Sequence, residues 1–244
     1  MDYSRHIAYF EQQSAALIEL VAGSSGGIRV AGCPEWTLPE LLTHAAGAWG
    51  WADAAVRAGE ASTPPESVRP PQDPAEQLPW VRSIREQLIQ TLRTRAADSS
   101  CWAFRFAPQQ ASFWARRAAH EAAIHHLDAQ LALGHNPALL FDPEFATDGI
   151  DELLVDLMPA LSRRRAPIAT DALLRFHTAD TSATWHVRYT AGKPIEVAAD
   201  QDARLQADLS VSGTADSVYR QVWGRPSSAV VTGDAALQDR IAAP

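Results

Sequence analysis

The sequence predicts an α+β protein of two domains: a four-helix bundle over residues 1–138 and a smaller α+β domain over residues 139–244. Three observations lead to this prediction. Apolar residues recur at helical spacing in four segments of the first half. A proline-rich stretch between the second and third segments provides one long crossover connection. Beyond about residue 135, apolar and polar residues alternate with a period of two, which is typical of strands.

Four helices are predicted in the first half, at residues 4–22, 38–57, 80–96 and 112–133. The first ends at the breaker that begins with Gly23. The second begins at Thr37, which forms a capping box with Glu40. Residues 59–79 are rich in proline and are predicted to be a loop. Residues 97–111, with alternating aromatic side chains, are predicted to be a loop or a short extended segment.

The second half is predicted to contain helices and strands in mixed order. A helix comes first, at residues 148–165, and further helices are expected at 214–224 and 234–242. Period-two alternation predicts strands at residues 172–179, 183–192, 193–200, 207–213 and 228–233. Strands interspersed with short helices define a small α+β domain.

Composition restricts the class of partner. The chain carries 29 acidic against 21 basic residues, for a net charge of −8, which argues against nucleic acid or an anionic membrane. No apolar run approaches the roughly 18 residues that span a bilayer, and the N-terminus does not have the pattern of a signal peptide. We therefore expect a cytoplasmic protein. A monomer or weak dimer is also expected. Cys33 and Cys101 are expected to be reduced and inert.

The fourth predicted helix contains the stretch ARRAAHEAAIHHLDAQ, residues 115–130. His120 and His125 are five residues apart, about 140° around a helix, so they cannot share one ion as the histidines of a zinc protease do. Glu121 and His125 are four apart, on one face, and are suitable ligands for zinc or a similar ion. An ordinary pair on the helix surface is the alternative interpretation.

A third ligand must come from another helix, and His44 is the best candidate. It lies among Leu41, Leu42 and Ala45, an apolar setting for a titratable group. A hydrogen-bonded core histidine is the alternative. Asp128, three residues after His125, is suited to orient a ligand imidazole or to face solvent.

The remaining candidates have more ordinary interpretations. His120 and His126 are expected to face solvent or to surround the ligands. Arg116 and Arg117 precede the Glu–His pair and are expected to form surface ion pairs or to contact a cofactor. Aromatic residues are expected mainly in the bundle core, namely Trp36, Trp49, Trp51, Trp80 and Trp114.

These motifs resemble the DinB-like, mycothiol-dependent maleylpyruvate isomerase family. The likeness is in CPEWTLPELLTHAAGAWGWADA around His44 and in FWARRAAHEAAIHHLDAQ around Glu121. The C-terminal ADLSVSGTADSVYRQVWGRPSSAVVTGDAALQDRI resembles the sterol-carrier-like second domain of that family. The resemblance covers nearly the whole chain, and three motifs in the same order are more specific than any one of them.

The resemblance implies Zn²⁺ or another divalent metal held by His44, Glu121 and His125, with mycothiol as the thiol cofactor. It also implies a catalytic arginine near the C-terminus, for which Gly224–Arg225 provides a match. Arg225, with Arg116 and Arg117, is the predicted contact for the cofactor. The implied activity is cis–trans isomerisation by thiolate addition and elimination. The alternatives are transfer of the thiol to an electrophilic metabolite and a non-enzymatic binding or regulatory role.

Overall fold

The fold is that of a computed structural model, which describes residues 1–60, 63–135, 141–162, 171–193, 195–199, 206–234 and 236–237. The chain divides into two units, residues 1–136 and 137–244. The boundary predicted between residues 138 and 139 lies in a segment outside the described residues and stays a prediction.

The first unit contains the four predicted helices. They are α1 (Tyr3–Ala22), α2 (Leu38–Ala58), α3 (Pro74–Thr94) and α4 (Ala111–Ala132). Helix α1 packs on α4 and α2 packs on α3, while α2 also contacts α4. Large apolar side chains are buried between the helices, among them Phe10, Leu41, Leu88 and Leu127. The helical spacing of apolar residues therefore predicted the bundle correctly.

Helix α3 begins six residues before its predicted start at residue 80. The carboxylate of Asp73 accepts a hydrogen bond from the Ala75 N–H, and Pro74 occupies the first turn. A proline in the first turn removes no helical hydrogen bond, because the first amide hydrogens of a helix have no partner within the helix. Residues 74–79, including Pro74, were therefore wrongly predicted to be part of the loop.

A short hairpin, which the sequence analysis missed, leads into α2. Strand β1 (Arg29–Val30) pairs antiparallel with β2 (Cys33–Thr37). The predicted capping box follows directly, since the Glu40 carboxylate accepts hydrogen bonds from the Thr37 N–H and hydroxyl, both at 2.7 Å. The strand thereby carries Trp36 to the start of α2, close to His44.

The helix predicted at residues 148–165 begins earlier, because the Asp142 carboxylate caps it by accepting from the Glu144 and Phe145 amides. It is continuous from Pro143 to Ser162: α5 (Pro143–Asp151), a π-helical segment (Glu152–Leu157) and α6 (Met158–Ser162). Residues 163–165 lie outside the described residues.

The second unit also contains a five-stranded sheet in the order β5-β4-β3-β6-β7. Its elements are β3 (Ala172–Thr178), β4 (Thr184–Tyr189), β5 (Glu196–Ala199), β6 (Leu209–Gly213), α7 (Ala215–Val222) and β7 (Val230–Gly233). Strands β3 and β6 are parallel, and the other pairs are antiparallel. Each predicted strand is present in shorter form. Of the closing helix predicted at 234–242, residues 235 and 238–242 lie outside the described part.

Within the described part of the chain, every helix is too short or too polar to cross a membrane.

Candidate metal centre

Helix α4 carries a row of four charged or titratable side chains on one face: Arg117, Glu121, His125 and Asp128. They follow one another at intervals of four, four and three residues, which keeps them aligned along a helix of 3.6 residues per turn. The helix period therefore brings Glu121 and His125 together as predicted.

Glu121 is the centre of this row. One carboxylate oxygen, Oε1, lies 3.0 Å from His125 Nε2 and 3.8 Å from His44 Nε2 on α2. The other oxygen, Oε2, accepts a hydrogen bond of 2.9 Å from the Arg117 guanidinium. The three predicted ligands thus converge, with one donor atom of each within 4.8 Å of the others.

His44 lies at the edge of the bundle rather than in its core. Its side chain is 45% exposed, whereas Leu41, Leu42 and Ala45 beside it are buried. Its ring packs on Trp36, with ring centroids 4.4 Å apart, and meets His125 edge-on at 5.4 Å. The alternative of a core histidine is therefore wrong, and the imidazole is accessible on one side.

His125 is oriented from behind by Asp128. The distance from His125 Nδ1 to the Asp128 carboxylate is 3.2 Å, so the imidazole donates its Nδ1 proton there. This contact leaves the lone pair of neutral His125 on Nε2, on the side of Glu121 and His44. The predicted orienting role of Asp128 agrees with this geometry.

The charges in the row shift the pKa values in opposite directions. Burial alone would lower the pKa of His125, but the Glu121 and Asp128 carboxylates outweigh it and raise the pKa to about 9. Burial alone would raise the pKa of Glu121, but His125, Arg117 and His44 hold it well below its usual range. Partial burial, helped by the charge of His125, lowers the pKa of His44.

Two imidazole nitrogens and a carboxylate oxygen are a typical donor set for a divalent transition metal. With metal–ligand distances of about 2.0–2.2 Å, tetrahedral ligand atoms lie roughly 3.4 Å apart. The observed separations of 3.0 and 3.8 Å bracket this value. The residues therefore fit a zinc-like ion with three protein ligands and an accessible fourth position.

Two cavities meet at His44, Ala48 and Trp51. One, of about 200 Å³, is walled by aromatic side chains and reaches Glu121 and Arg117. The other, of about 430 Å³, is more open and extends along Trp36, Thr43 and the segment around Val68. Of the candidate ligands, His44 therefore lies at the junction of the two cavities, and Glu121 lines the smaller one.

Two family models together match most of the chain. The family model described as "Mycothiol maleylpyruvate isomerase N-terminal domain" matches residues 10–130, and "MDMPI C-terminal domain" matches residues 144–240. The chain belongs to the mycothiol-dependent maleylpyruvate isomerase family. The resemblance noted in the sequence is confirmed.

Two solved structures share the fold of this chain. The crystal structure of the mycothiol-dependent maleylpyruvate isomerase is similar, with a TM-score of 0.60 and 16% identity over 95% of this chain and 93% of that one. A mutant of that isomerase with alanine in place of one histidine gives a TM-score of 0.58 at 14% identity, with the same coverage. Among curated proteins, none matches the sequence. The structural likeness confirms the predicted two-domain α+β fold.

Two further histidines of α4 are buried. His120 is fully buried, and His126 is 9% exposed. His126 Nδ1 lies 2.7 Å from Gln13 Oε1 on α1, so this ring joins two helices of the bundle. Of the two alternatives, the solvent-facing one is wrong, because α4 packs against α1 on that side. A position around the ligands stays a prediction.

The arginines predicted from the family motifs fall in both units. Arg117 pairs with Glu121 and is largely buried, while its neighbour Arg116 is partly exposed. Arg225 follows Gly224 at the end of α7 in the second unit, and its guanidinium donates to the Trp223 carbonyl. Their contacts with a cofactor stay predictions.

The aromatic residues were only partly assigned correctly. Trp49 and Trp114 belong to the core, as predicted, with exposed fractions of 1% and 2%. Trp36, Trp51 and Trp80 are only partly buried. Trp51 and Phe104 form walls of the smaller cavity, which was not predicted from the sequence. The alternating aromatic residues in 97–111 were the signal that could have indicated it.

The two cysteines differ in environment, and this predicts their reactivity. Cys101 is buried, and burial raises its pKa to about 11, whereas Cys33 is partly exposed. At pH 8 we expect Cys101 to be alkylated roughly 100-fold more slowly than a free cysteine, since the thiolate is the reactive form. Iodoacetamide labelling of a Cys33→Ser variant, followed by mass spectrometry, measures this rate. Labelling at the rate of free cysteine would contradict the burial.

Asp128→Asn is expected to weaken zinc binding by about 10- to 100-fold, since a neutral amide orients the His125 ring less strongly. The pKa of His125 should fall in the same variant, because one of the two carboxylates that raise it is lost. Zinc titration and an NMR titration of the His125 ring measure the two effects. Asp128→Glu is the matched control and should recover part of both. An unchanged pKa would show that Asp128 acts only on packing.

Proposed function

We propose that this protein is a divalent-metal-dependent enzyme that uses the thiol of mycothiol to attack an electrophilic substrate. The observation that carries the proposal is the convergence of His44 Nε2 and His125 Nε2 on one oxygen of Glu121, at a point where two cavities meet. Membership in the maleylpyruvate isomerase family supports mycothiol as the thiol.

In this proposal His44, Glu121 and His125 hold the ion, preferably Zn²⁺. When bound, the ion stabilises a thiolate over a thiol and so supplies a nucleophile at neutral pH. Asp128 keeps the His125 proton on Nδ1, and Arg117 fixes the second oxygen of Glu121. His44 and Glu121 thereby line the smaller cavity, and His125 Nε2 lies beside the same Glu121 carboxylate.

The first candidate reaction is cis–trans isomerisation. The sulfur of mycothiol adds to a conjugated cis double bond, the former double bond rotates as a single bond, and the sulfur leaves again. The substrate changes only its geometry, and the thiol is returned. Arg225 is proposed to bind a carboxylate of the substrate or of mycothiol, with Arg116 and Arg117 as further contacts.

The second candidate reaction is transfer of mycothiol to the substrate. It uses the same ligands but ends with the carbon–sulfur bond intact and a proton on the product. The open cavity of about 430 Å³ beside His44 favours it, because a bulky conjugate needs an open route out of the site.

A cobalt-substituted titration tests the proposal. The protein is purified without chelator, its metal content is measured, and the Co²⁺ form is titrated with mycothiol. We expect about one ion per chain and a thiolate-to-metal charge-transfer band, both lost in His125→Ala. A wild-type protein that neither contains nor takes up metal would exclude the enzyme and favour the binding role. Parallel assays of isomerisation and thiol conjugation then separate the two reactions.

A further inference from the structure

The smaller of the two cavities has aromatic walls. Trp51 on α2, Trp114 on α4 and Phe104 in the connecting loop surround it, with ring centroids 5.4–5.7 Å apart in each pair. Hydrogen bonds from the indole nitrogens to backbone carbonyls fix two of the rings, Trp51 to Pro65 and Trp114 to Trp102. At these distances the rings pack on one another and form one fixed aromatic surface, against which a flat ligand can pack.

Small residues that lie between the rings determine the size of the cavity. Ala48 and Ala52 on α2 and Ala118 on α4 leave the space that larger side chains would fill. An apolar cavity of about 150 Å³ is sufficient to bind benzene. A volume of about 200 Å³ therefore accommodates one aromatic ring with a short substituent.

The charges in the cavity wall disfavour an anionic ligand. Of the described lining residues, only Arg117 carries a permanent positive charge, and its guanidinium is paired with Glu121 at 2.9 Å. In the metal-free protein Glu121 lines the cavity as a carboxylate, so a ligand carboxylate would enter an apolar space beside a like charge. Burial of a charge without a partner is costly, and a like charge adds to the cost.

We propose that this cavity binds an uncharged, planar aromatic molecule, and that this molecule is the electrophilic substrate. The cavity shares His44 and Glu121 with the candidate metal ligands, so its occupant lies beside the proposed thiolate. The substrate role rests on the proposed function, whereas binding in the cavity does not. The substrate class differs from maleylpyruvate, which carries two carboxylates and no ring.

Calorimetric titration of the metal-free protein tests ligand selection without the metal or the thiol. The probes are cinnamamide, which is planar and uncharged, cinnamate, which has the same shape with one negative charge, and maleate, a dianion without a ring. We expect measurable cinnamamide binding, at least tenfold weaker cinnamate binding and none for maleate. Maleate binding as tight as that of cinnamamide, or no binding of cinnamamide, overturns the proposal.

Two variants locate the binding. Phe104→Ala removes one wall and should weaken cinnamamide binding by about tenfold, because a buried aromatic contact is lost. Phe106→Ala is the matched control, since Phe106 stacks on Phe104 but is exposed and does not line the cavity. Phe104→Leu replaces Phe104→Ala if the latter does not fold. Equal loss in the control and the test variant would place the ligand elsewhere.

The result of the ligand-binding titrations can be distinguished from the result of the metal and mycothiol tests of the proposed function. If cinnamamide binds as expected but the protein takes up no metal, the cavity assignment stands and the enzyme does not. If zinc and mycothiol bind but maleate is preferred to cinnamamide, the enzyme stands and the substrate class is wrong.

Discussion

Replacing His44 by alanine should lower the affinity for zinc at least 100-fold while the protein stays folded. His44 is one of only three proposed protein ligands, and removing even a group behind a metal ligand costs about 10- to 100-fold. Its side chain is 45% exposed, so alanine leaves no cavity in the bundle. Competition titration with a chromophoric chelator measures the affinity, and circular dichroism reports the fold.

His135→Ala is the matched control for this experiment. His135 is exposed and follows the end of α4, away from the candidate ligands in sequence. We expect it to bind zinc like the wild type. If His44→Ala bound zinc as tightly as this control, the two-helix metal site would be wrong, and Glu121 and His125 would be an ion pair of α4 alone.

The second large expected effect is that bound zinc cancels the pH dependence of the stability of the metal-free protein. In the metal-free protein the pKa of His125 is raised to about 9 from an ordinary value of 6.5. A raised pKa contributes stability that is fully present below pH 6.5 and is lost as the pH rises toward 9. The metal-free first unit should therefore lose stability from pH 6.5 to pH 8.5.

Zinc binding should strengthen over the same range. His44, with its lowered pKa, is already neutral there, and Glu121 is already ionised, so only the His125 proton has to leave. One proton released per ion gives about a tenfold gain in zinc affinity per pH unit below pH 9, or about 100-fold from pH 6.5 to pH 8.5.

Thermal unfolding with and without zinc, at fixed free zinc and several pH values, measures both trends. The stability of the metal-free protein should fall with pH, and the additional stability given by zinc should grow. His125→Gln provides the control, because it has no titrating group and should remove the slope of the metal-free curve. A slope unchanged in that variant would assign the titration to another residue.

Local features of the sequence were sufficient for most of the fold. Helical spacing located α1, α2 and α4 to within one or two residues, and the Thr37–Glu40 capping box marked the start of α2. Each of these signals acts within a few residues, so no tertiary information is needed. The start of α3 was missed because a proline is read as a breaker, whereas the first turn of a helix tolerates it.

Burial was harder to predict than secondary structure. A solvent-facing position was one of two alternatives for His120 and His126, but the packing of α1 on α4 encloses them, and Gln13 contacts His126. His44 was placed in an apolar setting, but it lies at the bundle edge against Trp36. The exposure of a side chain depends on which helix packs against it. Sequence periodicity shows which residues share one face of a helix, but it does not show which other helix packs on that face.

By itself, the sequence determined that Glu121 and His125 lie one above the other on a helix, because the α-helical period is the same in every context. Only the tertiary structure placed His44 Nε2 at 3.8 Å from the same Glu121 oxygen, because the register between α2 and α4 is set by packing of the bundle core. The aromatic cavity also arises from that packing, since its walls come from α2, α4 and the loop between residues 97 and 111. Local geometry provided the pair of candidate ligands, and the contact between helices provided the third candidate and the cavity beside it.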